Sequence, residues 1–90
     1  MMQFRKDTLC YQVTLFARAK ELYGSSTLWI EWPQHPITVA NLRQLIAQKA
    51  PVIADLLQVS RIAVNQEFAN DAQVIAPTNE IAVIPPVSGG

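Results

Sequence analysis

Only one stretch of this chain carries helical periodicity long enough to cover a sheet: "ITVANLRQLIAQKAP", residues 37–51. Val39, Leu42, Leu45, Ile46 and Lys49 follow the three-four spacing of one helix face, Thr38 is placed to cap the first turn, and Pro51 closes the run. A helix of about 13 residues is roughly 20 Å long and 10 Å wide, enough to cover one face of a four- or five-stranded sheet and no more. Elsewhere the apolar residues fall in short alternating runs. Val13, Leu15 and Ala17 face away from Thr14 and Phe16, and Leu28 and Ile30 face away from Thr27, Trp29 and Glu31. Between them "RAKELYG" holds good helix formers ending on Gly24, a left-handed cap, so a short helical turn is expected there. "VIADLLQ" adds one further helical turn, "RIAVNQEFAN" a short strand, a turn at Asn65-Gln66 and a short return, and residues 80–85 the last strand. The expected class is α+β, four to five strands packed on one main helix.

A sheet covered on one face should alternate cleanly between apolar and polar residues. The last strand does not, since Ile81 and Val83 point one way while Ala82 and Ile84 point the other. "RIAV" is apolar on both parities as well, and Phe16 and Trp29 place aromatic bulk opposite Leu15 and Ile30. Leaving a large aliphatic side chain in water forfeits about 1.5–3 kcal/mol of burial. The second face is therefore expected to meet another protein, with Phe16, Ile62, Val64, Ile81 and Ile84 as contact candidates.

Ninety residues, half of them apolar, suit one domain. No period organises the first residues, so 1–11 are expected as a flexible arm ahead of a domain over 12–85. Seven basic and seven acidic side chains cancel, which leaves no broad positive field for nucleic acid. No apolar run approaches the roughly 20 residues needed to span a membrane, and with no continuous hydrophobic stretch in the first dozen residues a secretory leader is not expected. The single cysteine, Cys10, has no disulfide partner and fits a free or half-buried thiol outside the core strands, in a reducing, cytoplasmic setting. His35 stands alone between Gln34 and Pro36 in an expected loop. There is no metal-ligand spacing, no Gly-rich phosphate loop and no nucleophile beside a base, so a conventional catalytic site is not expected.

What remains is the closing segment "IAVIPPVSGG". Pro85 and Pro86 favour an extended path away from the sheet. Val87 and Ser88 follow, and Gly89 and Gly90 lack the Cβ that would stop a backbone sliding through a narrow passage. From Ile81 to Gly90 no side chain is charged, so residues 86–90 make a thin tail able to enter a partner's cleft. The carboxylate at Gly90 becomes reactive if it is activated as an acyl-adenylate.

"VTLFARAKELYG", "TVANLRQLIAQ", "IAVNQEFA" and above all "EIAVIPPVSGG" resemble the sulfur-carrier subunits of molybdopterin synthase, the MoaD and ThiS type. The resemblance implies a ubiquitin-like β-grasp, a mixed sheet wrapped on one helix. It implies that Gly90 is adenylated by an E1-like adenylyltransferase using ATP and is converted to a thiocarboxylate. The tail, Pro85 to Gly89, then enters the synthase large subunit, where catalytic residues are expected and where sulfur passes to cyclic pyranopterin monophosphate. It further implies a heterotetramer with that subunit and no bound cofactor or metal in this chain. A departure from the family is the arm of about ten residues before the first strand. Three other roles stay open at this level: a carrier for thiamine or another pathway, a ubiquitin-like modifier of lysines, and a plain interaction module.

Overall fold

The computed structural model describes residues 8–33 and 36–87. In chain order these form β1 (Thr8–Leu15), α1 (Ala17–Tyr23), β2 (Thr27–Pro33), β3 (Ile37–Thr38), α2 (Val39–Lys49), a 3-10 turn (Pro51–Ile53), α3 (Ala54–Val59), β4 (Arg61–Val64), β5 (Glu67–Ala69), β6 (Val74–Ile75) and β7 (Ile81–Ile84). The five-stranded sheet runs β2-β1-β7-β4-β5. β1 and β7 lie parallel at its centre and the other neighbours are antiparallel, so the sheet is mixed. The ubiquitin-like arrangement expected from the closing motif is the one observed, with the chain's last strand in the middle.

α2 is the main helix. Its first turn is closed by a capping box: the Asn41 N–H donates to the Thr38 Oγ1 at 3.2 Å, and the Thr38 N–H donates to the Asn41 Oδ1 at 3.1 Å. Two more N–H groups of that turn, Val39 and Ala40, donate to the carbonyls of Gln73 and Asp71. Val39, Leu42 and Ile46 are fully buried against the sheet, while Lys49 is exposed at the C-terminal end. α1 and α3 are short. Gly24 ends α1 in the left-handed region at φ 90°, donating to the Lys20 carbonyl at 2.8 Å, as its position after "KELY" predicts.

Two features depart from the expectations. β1 begins at Thr8, so residues 8–11 belong to the sheet and not to an arm. The ladder runs from Thr8↔Pro33 to Thr14↔Thr27, and its backbone hydrogen bonds need no side-chain alternation to form. Tyr11 is fully buried there, and Cys10, expected outside the core strands, sits within β1. The rest of the expected arm, residues 1–7, and His35 lie outside the described residues. The second departure is a two-stranded pair, β3 with β6, which buries Ile37 against Ile75 beside the start of α2. Strands of two residues are too short to show a period.

Candidate docking face and tail exit

Strand alternation divides the sheet into two unlike surfaces. Under the helices lie Tyr11, Val13, Leu15, Leu28, Ile30, Ile81 and Val83, each at most 3% exposed. Ile62 at 0% and Val64 at 5% join them. This corrects the expected contact set: Ile62, Val64 and Ile81 are core residues, because register puts them on the same face as Val13 and Val83. Their apolar character belongs to the fold's own interior. Phe16 and Ile84 fall on the opposite face, as their parity predicts, with Phe16 at 48% exposure.

The open face carries more than those two. A shallow trough of about 390 Å³ is lined by Phe16, Ala63, Gln66, Phe68, Glu80, Ala82 and Ile84. Phe68, at 60% exposure, was not singled out by the sequence reading. The signal was available, since the tight turn at Asn65 and Gln66 sets Phe68 directly across from Ala63. That turn holds two non-glycine residues at positive φ, Asn65 at 52° and Gln66 at 69°, the type I′ form that matches strand twist. Asn65 is pinned to β7's approach: its N–H donates to the Glu80 carbonyl at 2.7 Å, and the Glu80 N–H donates to its Oδ1 at 2.8 Å. At the trough's other end the chain leaves β1 through Ala17, also left-handed at φ 50°, one residue after Phe16. Trp29, 51% exposed, lies on the same open face across β1.

β7 delivers the closing segment. Leu15 pairs with Val83 and Arg61 with Ile84, so the chain departs from the sheet's centre between the end of β1 and the start of β4. Pro85 is buried, which anchors the departure, while Pro86 and Val87 are exposed, Val87 at 92%. Ser88, Gly89 and Gly90 lie outside the described residues. Arg61 reaches diagonally over Phe68 on the open face, its guanidinium carbon 4.7 Å from the ring centroid.

No nucleophile with an activating partner lies in the trough. Cys10 is half-buried at a distance from it, and burial, reinforced by the Glu31 carboxylate, raises its pKa against a smaller opposing pull from Lys49. A thiol kept protonated in this way is a poor nucleophile. Among the described residues no three His, Cys, Asp or Glu side chains converge on a metal position, and no helix is long and apolar enough to cross a membrane.

The ThiS family profile matches residues 13–90. The molybdopterin synthase sulfur carrier subunit of Dictyostelium discoideum is 40% identical over 82 residues, spanning 89% of this chain and 95% of that one. The human molybdopterin synthase sulfur carrier subunit is 37% identical over 82 residues, 88% of this chain and 92% of its own length. Among solved structures, SAMP1 from Haloferax volcanii superposes with a TM-score of 0.77 at 25% identity, covering 90% of this chain and 99% of that one. A protein complex of subunits 1 and 2 of the molybdopterin-converting factor from Helicobacter pylori contains a chain with a TM-score of 0.62 at 23% identity, covering 91% of this chain and all of that one, a likeness of fold.

Proposed function

Because this chain belongs to the ThiS family, we propose that it works as a sulfur carrier, the small subunit of a molybdopterin synthase, as its curated relatives are named. The observation that carries the reading is the placement of Pro85, Pro86 and Val87, the start of "PPVSGG": they follow the central strand of the sheet and leave beside an exposed aromatic trough. A carrier needs those two things together, a reactive end that can be handed over and a face by which each partner holds it.

In this reading an E1-like activating enzyme binds the carrier and ATP. The Gly90 carboxylate attacks the α-phosphorus, and pyrophosphate leaves. A sulfur donor then displaces AMP at the acyl carbon and leaves a thiocarboxylate. That group is ionised near neutral pH, and its sulfur is soft and polarisable. The tail next enters the synthase large subunit, whose own residues catalyse attack by the sulfur on cyclic pyranopterin monophosphate. Hydrolysis of the acyl link returns the carboxylate, and the carrier is released for recharging. Two sulfurs complete one dithiolene, which suits a heterotetramer in the cytoplasm with two carriers on two large subunits. Gly89 gives the tail clearance in each cleft, and Pro86, Val87 and Ser88 form the inserted segment, while Pro85, expected within it, is buried and holds its base to the fold. Phe16 and Ile84 belong to the docking face, together with Phe68.

Intact-mass measurement after incubation with the activating enzyme, ATP and a sulfur source tests this. One oxygen-to-sulfur exchange at Gly90 is the expected product. An unchanged mass, under conditions that charge an established carrier, rules the proposal out. Ladders of high-mass conjugates on an immunoblot would point instead to attachment of Gly90 to lysines.

A further inference from the structure

Three arginines on the described surface are placed differently. Arg18 pairs with Glu21 at 3.4 Å, and Arg43 pairs with Asp71 at 3.0 Å. Arg61, exposed at the start of β4, has no carboxylate within ion-pair distance among the described residues; its guanidinium lies over the Phe68 ring. A ring contact leaves the positive charge unneutralised and the edge of the fork free to donate. It also narrows the rotamers available to a long side chain before any partner arrives, which lowers the entropy lost on docking.

Position gives that charge a meaning. Arg61 is paired with Ile84, the last residue of β7, so it stands where the tail departs. Glu80 lines the trough at the opposite end of β7, beside the Asn65-Gln66 turn. Between the two ends the wall is apolar, formed by Phe16, Ala63, Ala82 and Ile84. The open face is thus positive beside the tail exit, where Arg61 lies over Phe68 at the trough's rim, and acidic at the far end, where Glu80 lines the trough. A complementary partner carries an apolar ridge with a carboxylate near its tail-accepting cleft and a cation at the other end. Docked the opposite way round, the same partner would set like charges together and aim the tail away from the cleft.

We propose that Arg61, held over the Phe68 ring beside the exit of β7, is an ionic anchor that pairs with a carboxylate at the mouth of the synthase large subunit's cleft and so fixes the direction in which the carrier docks. This inference rests on the sulfur-carrier reading and names the contact that orients it.

The test titrates the full chain into the large subunit from the same organism by calorimetry, at about 50 and 300 mM salt. Arg61→Leu keeps apolar contact and removes the charge; it should weaken binding about tenfold and flatten the salt dependence, and Arg61→Glu should weaken it about a hundredfold. Both variants should melt with the wild type, because the side chain is exposed. If the wild type binds and is thiocarboxylated, yet Arg61→Leu and Arg61→Glu bind as tightly with the same salt dependence, the anchor is overturned and the carrier function stands. If the wild type neither binds the large subunit nor becomes thiocarboxylated, the carrier reading itself fails and the anchor with it.

Discussion

Val83 and Ile84 are neighbours in sequence and strangers in role. Val83 is fully buried beneath the helices, whereas Ile84 is half-buried on the open face at the tail exit. The same split recurs at the end of β1, where Leu15 is fully buried and the next residue, Phe16, is 48% exposed, and in β4, where Ile62 is core and Arg61 is surface. A sheet with a period of two can thus assign stability to one parity and recognition to the other without using different segments. Hydrophobicity alone does not tell the two jobs apart. Register does.

The largest effect expected from that division is on the core side. Ile62→Ala removes a fully buried side chain from a strand paired with β7, at a cost of about 3 kcal/mol. Against a typical domain stability of about 5–15 kcal/mol, the urea midpoint should fall sharply, and docking should suffer only in proportion to the unfolded fraction. Phe16→Ala is the mirror experiment. Its exposed ring should contribute less than about 1 kcal/mol to folding, while as an aromatic anchor it should weaken binding to the large subunit by about tenfold or more. Calorimetric binding set beside urea melts checks both. If the two variants exchange phenotypes, the assignment of the faces is wrong.

How much of this was legible beforehand depended on side-chain period. α2 showed itself through Val39, Leu42 and Ile46, and the Thr38 cap was written in its position. The Asn65-Gln66 turn was visible as a break between two short apolar runs. The β3–β6 pair was not, since two residues carry no alternation. Thr8 to Tyr11 were legible as strand, because Leu9 and Tyr11 continue the parity of Val13 and Leu15 while Thr8 and Gln12 take the other; the expected arm overlooks that alternation, and pairing with β2 carries it back to Thr8. Ile62, Val64 and Ile81 read from sequence as contact residues because a strand apolar on both parities does not reveal which parity faces the helix. Phe68 and Arg61 became visible as a pair only once register set Ala63 between them.

Tyr11 offers a smaller test on the core side. It is fully buried, and its hydroxyl has no hydrogen-bond partner among the described residues. Tyr11→Phe removes an unpaired polar group, so stability should be unchanged or rise by up to about 1 kcal/mol, opposite in sign to Ile62→Ala. Burial raises the Tyr11 pKa above its ordinary 10.0, and burial with the Glu31 carboxylate raises that of Cys10 above its ordinary 9.0. Both groups keep their protons in the folded chain at a pH where the unfolded chain has released them. Their contribution is therefore fully present below the ordinary values and is lost as pH rises through the raised ones. Stability should decline from about pH 9 upward, and Tyr11→Phe should make that decline shallower. An equal alkaline slope in the variant would exclude Tyr11 as a source.

The smallest effect expected lies where the two faces meet at the Asn65-Gln66 turn. Gln66 sits at φ 69°, a region that costs an ordinary L-residue roughly 1–2 kcal/mol. Glycine relieves that strain but adds about 0.5–1 kcal/mol of freedom to the unfolded chain. Gln66→Gly should therefore raise stability by about 0.5 kcal/mol, read as a small upward shift in the urea midpoint. Asn65 should be the intolerant member of the pair, because its side chain and backbone both bind Glu80. Gln66 also lines the trough, so its amide is available to a docked partner. Gln66→Gly should cost less than tenfold in binding, since a single exposed amide is worth about 1 kcal/mol. A gain in stability together with weaker docking would mean that the strain at Gln66 is retained for recognition, and a gain with unchanged docking would confine the docking face to its aromatic and charged members.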